Sequence, residues 1–159
     1  MKHPLSVMNK GKLLFLAREL FQKHGLTEQG WRFGFRNYAH RLGCCYYRKK
    51  LIVVNHFYAQ HNPDELVTDT LLHEIAHALA GPAACHGPVW KAMACRIGAR
   101  PEACKNGIPI LLRPGKYQAT CPTCSRQFHK HRKPRYVTGY YCPRCGKENG
   151  KLAFQQANH

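Results

Sequence analysis

Asn62-Pro63-Asp64-Glu65-Leu66-Val67-Thr68-Asp69-Thr70-Leu71-Leu72-His73-Glu74-Ile75-Ala76-His77-Ala78-Leu79 is the stretch on which the reading of this chain turns. Asn62 suits an N-cap, Pro63 the first helical position, and Asp64 and Glu65 the positive end of a helix dipole. These signals predict a helix that runs to about Leu79 and is broken by Gly81-Pro82. Inside it lies an H-E-x-x-H. At ~3.6 residues per turn His73 and His77 leave one face a turn apart, so both imidazoles can reach one Zn²⁺ at ~2.0–2.1 Å. Glu74 is displaced around the helix and can hold an attacking water rather than the metal, which makes it the candidate general base of a metal-assisted peptide hydrolysis.

A catalytic zinc takes three protein ligands and keeps one position open, so a third donor is needed. His86 is the best candidate. It lies just past the Gly81-Pro82 break on a loop that would fold back toward the metal, and Gly87 permits a tight turn there. Cys85 and Glu102 are the alternatives. The metzincin spacing is not met, because Ala80 and Ala83 stand where its Gly and third His belong.

Upstream, Leu13, Leu16, Ala17, Leu20 and Phe21 recur at three- and four-residue intervals, which predicts a helix over 10–24 that Gly25 ends. Trp31, Phe33 and Phe35 alternate with Arg32, Gly34 and Arg36, the period of a strand with its arginines in solvent. Cys44–Tyr47 and Leu51–Val54 read as a hairpin across a basic turn, Arg48-Lys49-Lys50. Downstream, Pro88 opens a helix with Trp90, Met93, Ala94 and Ile97 on one face, a stripe most simply read as core, and Gly98 closes it.

The chain has 159 residues, enough for one domain and a small appendage. No apolar run approaches the ~18 residues of a membrane helix, and no export signal is apparent. Nine cysteines are an odd number, and four fall into two Cys-x-x-Cys pairs, which favours metal ligation in a reducing compartment over a disulfide scaffold. The net charge of +17 is uneven: residues 1–50 carry 11 basic and 2 acidic side chains, 51–115 carry 5 and 5, and 116–159 carry 9 and 1. Two basic ends around a neutral middle suit a polyanion such as nucleic acid.

Cys121-Pro122-Thr123-Cys124 and Cys142-Pro143-Arg144-Cys145 match a four-cysteine zinc ribbon, whose thiolates close the metal's coordination. A unit this small has little apolar core, so the metal must supply much of its folding free energy. Arg126, Lys130, Arg132, Lys133 and Arg135 interleave with Phe128, Tyr136, Tyr140 and Tyr141, a mixture able to contact phosphates and stack on unpaired bases. Phe128 or Tyr136, rather than all four aromatics, is expected to be exposed. Cys44, Cys45, Cys85, Cys95 and Cys104 follow no ligand pattern and read as buried or incidental thiols.

With these residues in view, the chain resembles the SprT-like zinc metalloprotease family, a SprT-like domain followed by a zinc ribbon. The resemblance is carried by Trp31-x-Phe33-x-Phe35, Gly43-Cys44, Leu51 to Asn55, His73 to Leu79, and His86-Gly87-Pro88-Val89-Trp90. It implies a zincin-like peptidase fold in which His73, His77 and His86 bind zinc and Glu74 drives catalysis. In better-known relatives this domain acts on proteins attached to DNA, including DNA–protein crosslinks. The second cysteine, Cys45, and the short connection from His77 to His86 are local features of this chain.

The expectation is therefore an α+β protein: a zincin-like metallopeptidase domain over 1–114 with a small antiparallel sheet, a zinc ribbon over 115–150, and a tail over 151–159. Two Zn²⁺ per chain are expected, one catalytic at His73, His77 and His86 and one structural at Cys121, Cys124, Cys142 and Cys145. The expected partners are DNA, with weak sequence preference, and protein substrates that are themselves DNA-bound. No membrane association is expected; the chain should be monomeric and intracellular, in the cytoplasm, nucleoid or nucleus. The alternative is a non-enzymatic nucleic-acid-binding zinc protein with a structural histidine site, against which Glu74 argues because a structural site has no use for that carboxylate.

Overall fold

In the computed structural model, which describes residues 8–103, 107–136 and 138–157, the chain divides between Leu112 and Arg113 into two units. The first begins with helix α1 (Lys10–Lys23), capped by the Asn9 side chain, which accepts from the Lys12 backbone N–H at 2.8 Å. Its Leu13, Ala17 and Phe21, four residues apart, are buried. The helix ends at Gly25, whose φ of 67° is open to glycine at little cost.

Strands β1 (Arg32–Arg36), β2 (Gly43–Tyr46) and β3 (Leu51–Asn55) form a sheet in the order β1-β3-β2. The hairpin from β2 to β3 is antiparallel, from Gly43 opposite Val54 to Tyr46 opposite Leu51. Its turn contains no glycine; a short 3₁₀ turn over Tyr47–Lys49 ends at Lys50, which takes a left-handed φ of 45°. The expected antiparallel sheet is corrected to a mixed one, because β1 pairs with β3 in parallel. Residues 37–42 carry the chain past the position beside β1, which β3 then fills. Buried Asn55 holds that crossover by donating to the carbonyls of Tyr38 (3.0 Å) and Arg41 (2.8 Å).

A helix absent from the sequence reading, α2 (His56–His61), follows β3, and α3 (Asp64–Ala80) follows it. Asn62 is not the cap of α3; Pro63 occupies that position without a side-chain bond. The Asn62 amide instead donates to Tyr58 O and Leu111 O and accepts from the Leu111 backbone N–H, tying residue 111 to the domain like a one-residue strand pair. Helix α4 (Pro88–Ile97) closes the unit, with Trp90 and Ala94 buried and Gly98 left-handed at its end.

α3 is covered on two sides, and that placement creates the site. Val67, Leu71 and Ile75 pack with Leu13, Phe21, Ile52, Val54 and Tyr58 in the main core. Ala76, with Leu72 and Ala80, meets Trp90, Ala94 and Ala99 in a second, smaller core. His73 and His77 occupy the remaining face, half-buried at a cleft.

The second unit pairs β4 (Tyr117–Thr120) with β5 (Gln127–Lys130), and after the short helix α5 (Gly146–Asn149) with β6 (Gln155–Gln156). Residues 151–157, expected to form a tail, are part of the unit: Leu152 is buried with Ala119, Cys121 and Cys142, and Phe154 packs on Tyr140. Four buried residues make a small core, and two of them are the cysteines Cys121 and Cys142. Among the described residues, no helix is long and apolar enough to cross a membrane.

Candidate metal centres

His73 and His77 reach the cleft from consecutive turns of α3, and the loop after Gly81 brings His86 to them. The Nε2 atoms of His77 and His86 stand 3.0 Å apart, and those of His86 and His73 3.1 Å. Ligands at ~2.0–2.1 Å around a tetrahedral zinc would be about 3.3 Å apart, so the spacing suits a shared cation. Hydrogen bonding explains it less well: a neutral imidazole Nε2 carries at most one proton, and His86 would have to serve two neighbours with it. Burial, and then His86, hold the His77 ring down at about 4, so its lone pair is available at neutral pH. The donor atoms of all three lie within 4.8 Å of one another. Cys85 and Glu102, the alternative third donors, line the cleft but stand outside this group.

Glu74 sits on the flank of the same helix turn, 7% exposed, against the hairpin. Its carboxyl is pushed up to about 8 by burial, against the Arg41 charge and a Cys45 backbone N–H bond that favour the ionised form. It lines the cleft together with the histidines, at the strand residues Gly43, Cys44 and Cys45. β2 is an edge strand, and these three residues place it along one wall of an opening of about 1340 Å³.

Two side chains around this centre were not singled out from the sequence as site residues. The Tyr47 hydroxyl donates to the His77 carbonyl (3.1 Å) and toward that of Gly81 (3.4 Å), pinning the last turn of α3 to the hairpin. Trp90, read as plain core, lies against all three histidine rings. A tyrosine after a β-run and an apolar stripe on a helix carry no local mark of such contacts.

In the ribbon, the Sγ atoms of Cys121, Cys124, Cys142 and Cys145 lie within 4.8 Å of one another. Those of Cys124 and Cys142 are 3.7 Å apart, against about 3.8 Å for a tetrahedral zinc with ~2.3 Å bonds. The backbone N–H of Cys124, with that of Thr123, draws the Cys121 thiol down to about 7. Burial, with the neighbouring thiols, pushes Cys145 up to about 12. Four crowded sulfurs cannot all ionise side by side unless a cation sits among them, and a divalent soft metal meets that demand.

Of the candidate nucleic-acid contacts, Arg126, Arg132, Lys133, Arg135 and Tyr136 are exposed, Tyr136 by 63%. Phe128 and Lys130 are drawn into the ribbon's own packing. Phe128 joins the small core, and the Lys130 ammonium lies 3.4 Å from the centre of the Tyr140 ring. Tyr141 is 44% exposed and the Lys147 ammonium lies 5.7 Å from its ring centre. Cys44 and Cys45 are half-buried, Cys85 and Cys95 exposed, and Cys104 lies outside the described residues.

Fold and donors define an α+β protein with two groups able to hold metal, an open histidine trio and a closed set of four cysteines, both consistent with zinc. Residues 12–110, more than half of the chain, match the SprT-like family, and the chain belongs to it. That membership is consistent with a metalloprotease-type enzyme. Comparison with curated proteins and with solved structures returns no match.

Proposed function

We propose that this chain is a zincin-type zinc metalloendopeptidase whose substrates are DNA-associated or DNA-crosslinked proteins. The observation that carries the peptidase reading is the convergence of His73, His77 and His86 beside the carboxylate of Glu74 in an open cleft. A zinc ion held by the three histidines would supply Lewis-acid polarisation of the scissile carbonyl and acidify the attacking water. Glu74 takes the proton of that water and returns it to the leaving amine. The Arg41 charge and the Cys45 backbone N–H favour the ionised carboxylate that this role needs, and the N–H orients it. An extended polypeptide can pair with the edge strand β2 and so present its backbone along the cleft.

The DNA part of the reading rests on charge. The ribbon unit exposes Arg126, Arg132, Lys133, Arg135 and Tyr136, and the first unit exposes Arg48, Lys49 and Lys50 at the hairpin turn. Cations of this kind hold phosphates without reading bases. The partners this reading calls for are DNA and DNA-bound protein. The test is cleavage of a DNA-bound protein, or self-cleavage, with and without DNA, against Glu74→Gln. DNA-stimulated cleavage that the variant lacks is the expected result; zinc-loaded protein without any Glu74-dependent cleavage would leave the non-enzymatic binding protein as the better account.

A further inference from the structure

We propose that Trp90 is a positioning residue of the histidine site, a plate that sets the rings of His73, His77 and His86 at the spacing a metal requires. Its ring centre lies 4.6 Å from that of His73, 5.3 Å from that of His77 and 4.6 Å from that of His86. The interplanar angles are 61°, 30° and 90°, so one indole meets three differently oriented rings, each at contact distance.

A pure filler would be chosen differently. Trp90 is 0% exposed, and its Nε1–H has no hydrogen-bond partner among the described residues. A buried donor without an acceptor opposes folding, and Phe or Leu would occupy the space between α3 and α4 without it. What the larger indole adds is area against the three imidazoles. Helical spacing alone aligns His73 with His77, but nothing local aligns His86, which follows Cys85 in a strained backbone with φ 44°. Trp90 stands four residues after His86 on the first turn of α4, so the segment that delivers the third histidine also carries the surface that stops it. Rings already set in place lose less freedom when a metal binds, and outer groups that fix ligand orientation by hydrogen bonds are worth ~10–100-fold in metal affinity, the scale expected here for ring contact.

The inference rests on the three histidines holding a metal and is independent of peptidase activity. The test is zinc affinity at the histidine site, measured by chelator competition with the ribbon's zinc left in place, for the full chain, Trp90→Phe and Met93→Ala. Met93 packs in the same small core, so its truncation loosens the α3–α4 contact without removing the indole. Trp90→Phe should weaken zinc by tenfold or more, whereas Met93→Ala should lower the melting temperature and change affinity less than threefold. Equal affinity in Trp90→Phe and the parent, or equal losses in both variants, would overturn the proposal. Should Trp90→Phe not fold, the chain's two tryptophans permit a second measurement. In Trp31→Phe only Trp90 emits, and Co²⁺ at the histidine site should quench it; undiminished emission with the site filled overturns the proposal as well. Failure of the parent to bind any zinc beyond the ribbon's would instead refute the metal reading on which the inference stands.

Discussion

Glu74 lies directly against Gly43: a methyl group built on the Gly43 Cα would stand 2.8 Å from the Glu74 Oε1 and 2.9 Å from its Cγ. The Val53 carbonyl, 3.1 Å from the same point, closes the other side. Gly43 is thus the space in which the candidate base sits. Gly43→Ala should push the carboxylate out of place while leaving the histidines untouched. Since misplacement by about 1 Å can cost ~10²-fold in rate, turnover should fall by about that factor with zinc content unchanged, as kinetics and elemental analysis would show.

Glu74→Gln keeps the shape of the side chain and removes its basicity. Zinc content and melting temperature should stay close to those of the parent, and turnover should fall by ~10²–10⁴-fold. A variant that loses zinc along with activity would show that Glu74 acts through the metal rather than on the water.

Metal-replete protein should contain two zinc ions with different lability. The histidine site has an open position and the cysteine site is closed, so a mild chelator should remove the first zinc before the ribbon unfolds. His73→Ala, His77→Ala and His86→Ala should each bring the count to one. Full occupancy in His86→Ala would return Glu102 or Cys85 to consideration as the third ligand.

Cys85 carries φ 44° and ψ −125°, a conformation that suits glycine. Cys85→Gly relieves strain of ~1–3 kcal/mol and gives back ~0.4–1 kcal/mol through a freer unfolded chain, for a net gain of about 1 kcal/mol. Denaturant melts should register that gain with zinc occupancy unchanged, whereas loss of one zinc would identify the thiol as a ligand.

Neutralising Arg132, Lys133 and Arg135 together should weaken DNA binding for all sequences alike and flatten its salt dependence, by ~0.9 in logarithmic slope for each phosphate that the protein no longer neutralises. DNA-stimulated cleavage should drop while zinc content holds. An unchanged affinity and slope would move the DNA surface to the hairpin turn around Arg48, Lys49 and Lys50.

The features legible along the chain lie within a turn or two of one another. The four-residue step from His73 to His77, the two Cys-x-x-Cys pairs, the breaks at Gly25 and Gly98, and the apolar rhythm of α1 and α4 were legible because helical geometry turns spacing into direction. The rest came from contacts between residues far apart in the chain. Asn62 has the chemistry of a helix cap, yet an acceptor and a donor on Leu111 compete for its amide and win. β1 pairs in parallel because β3 takes the place beside it, and residues 151–157 become part of the ribbon because β4 offers an open edge. The same holds at the site. Periodicity puts Glu74 and Trp90 on faces of their helices, but only the packing of α3 against β2 and α4 sets one in the hollow of Gly43 and the other against three histidines, because which face is covered depends on what arrives from elsewhere in the chain.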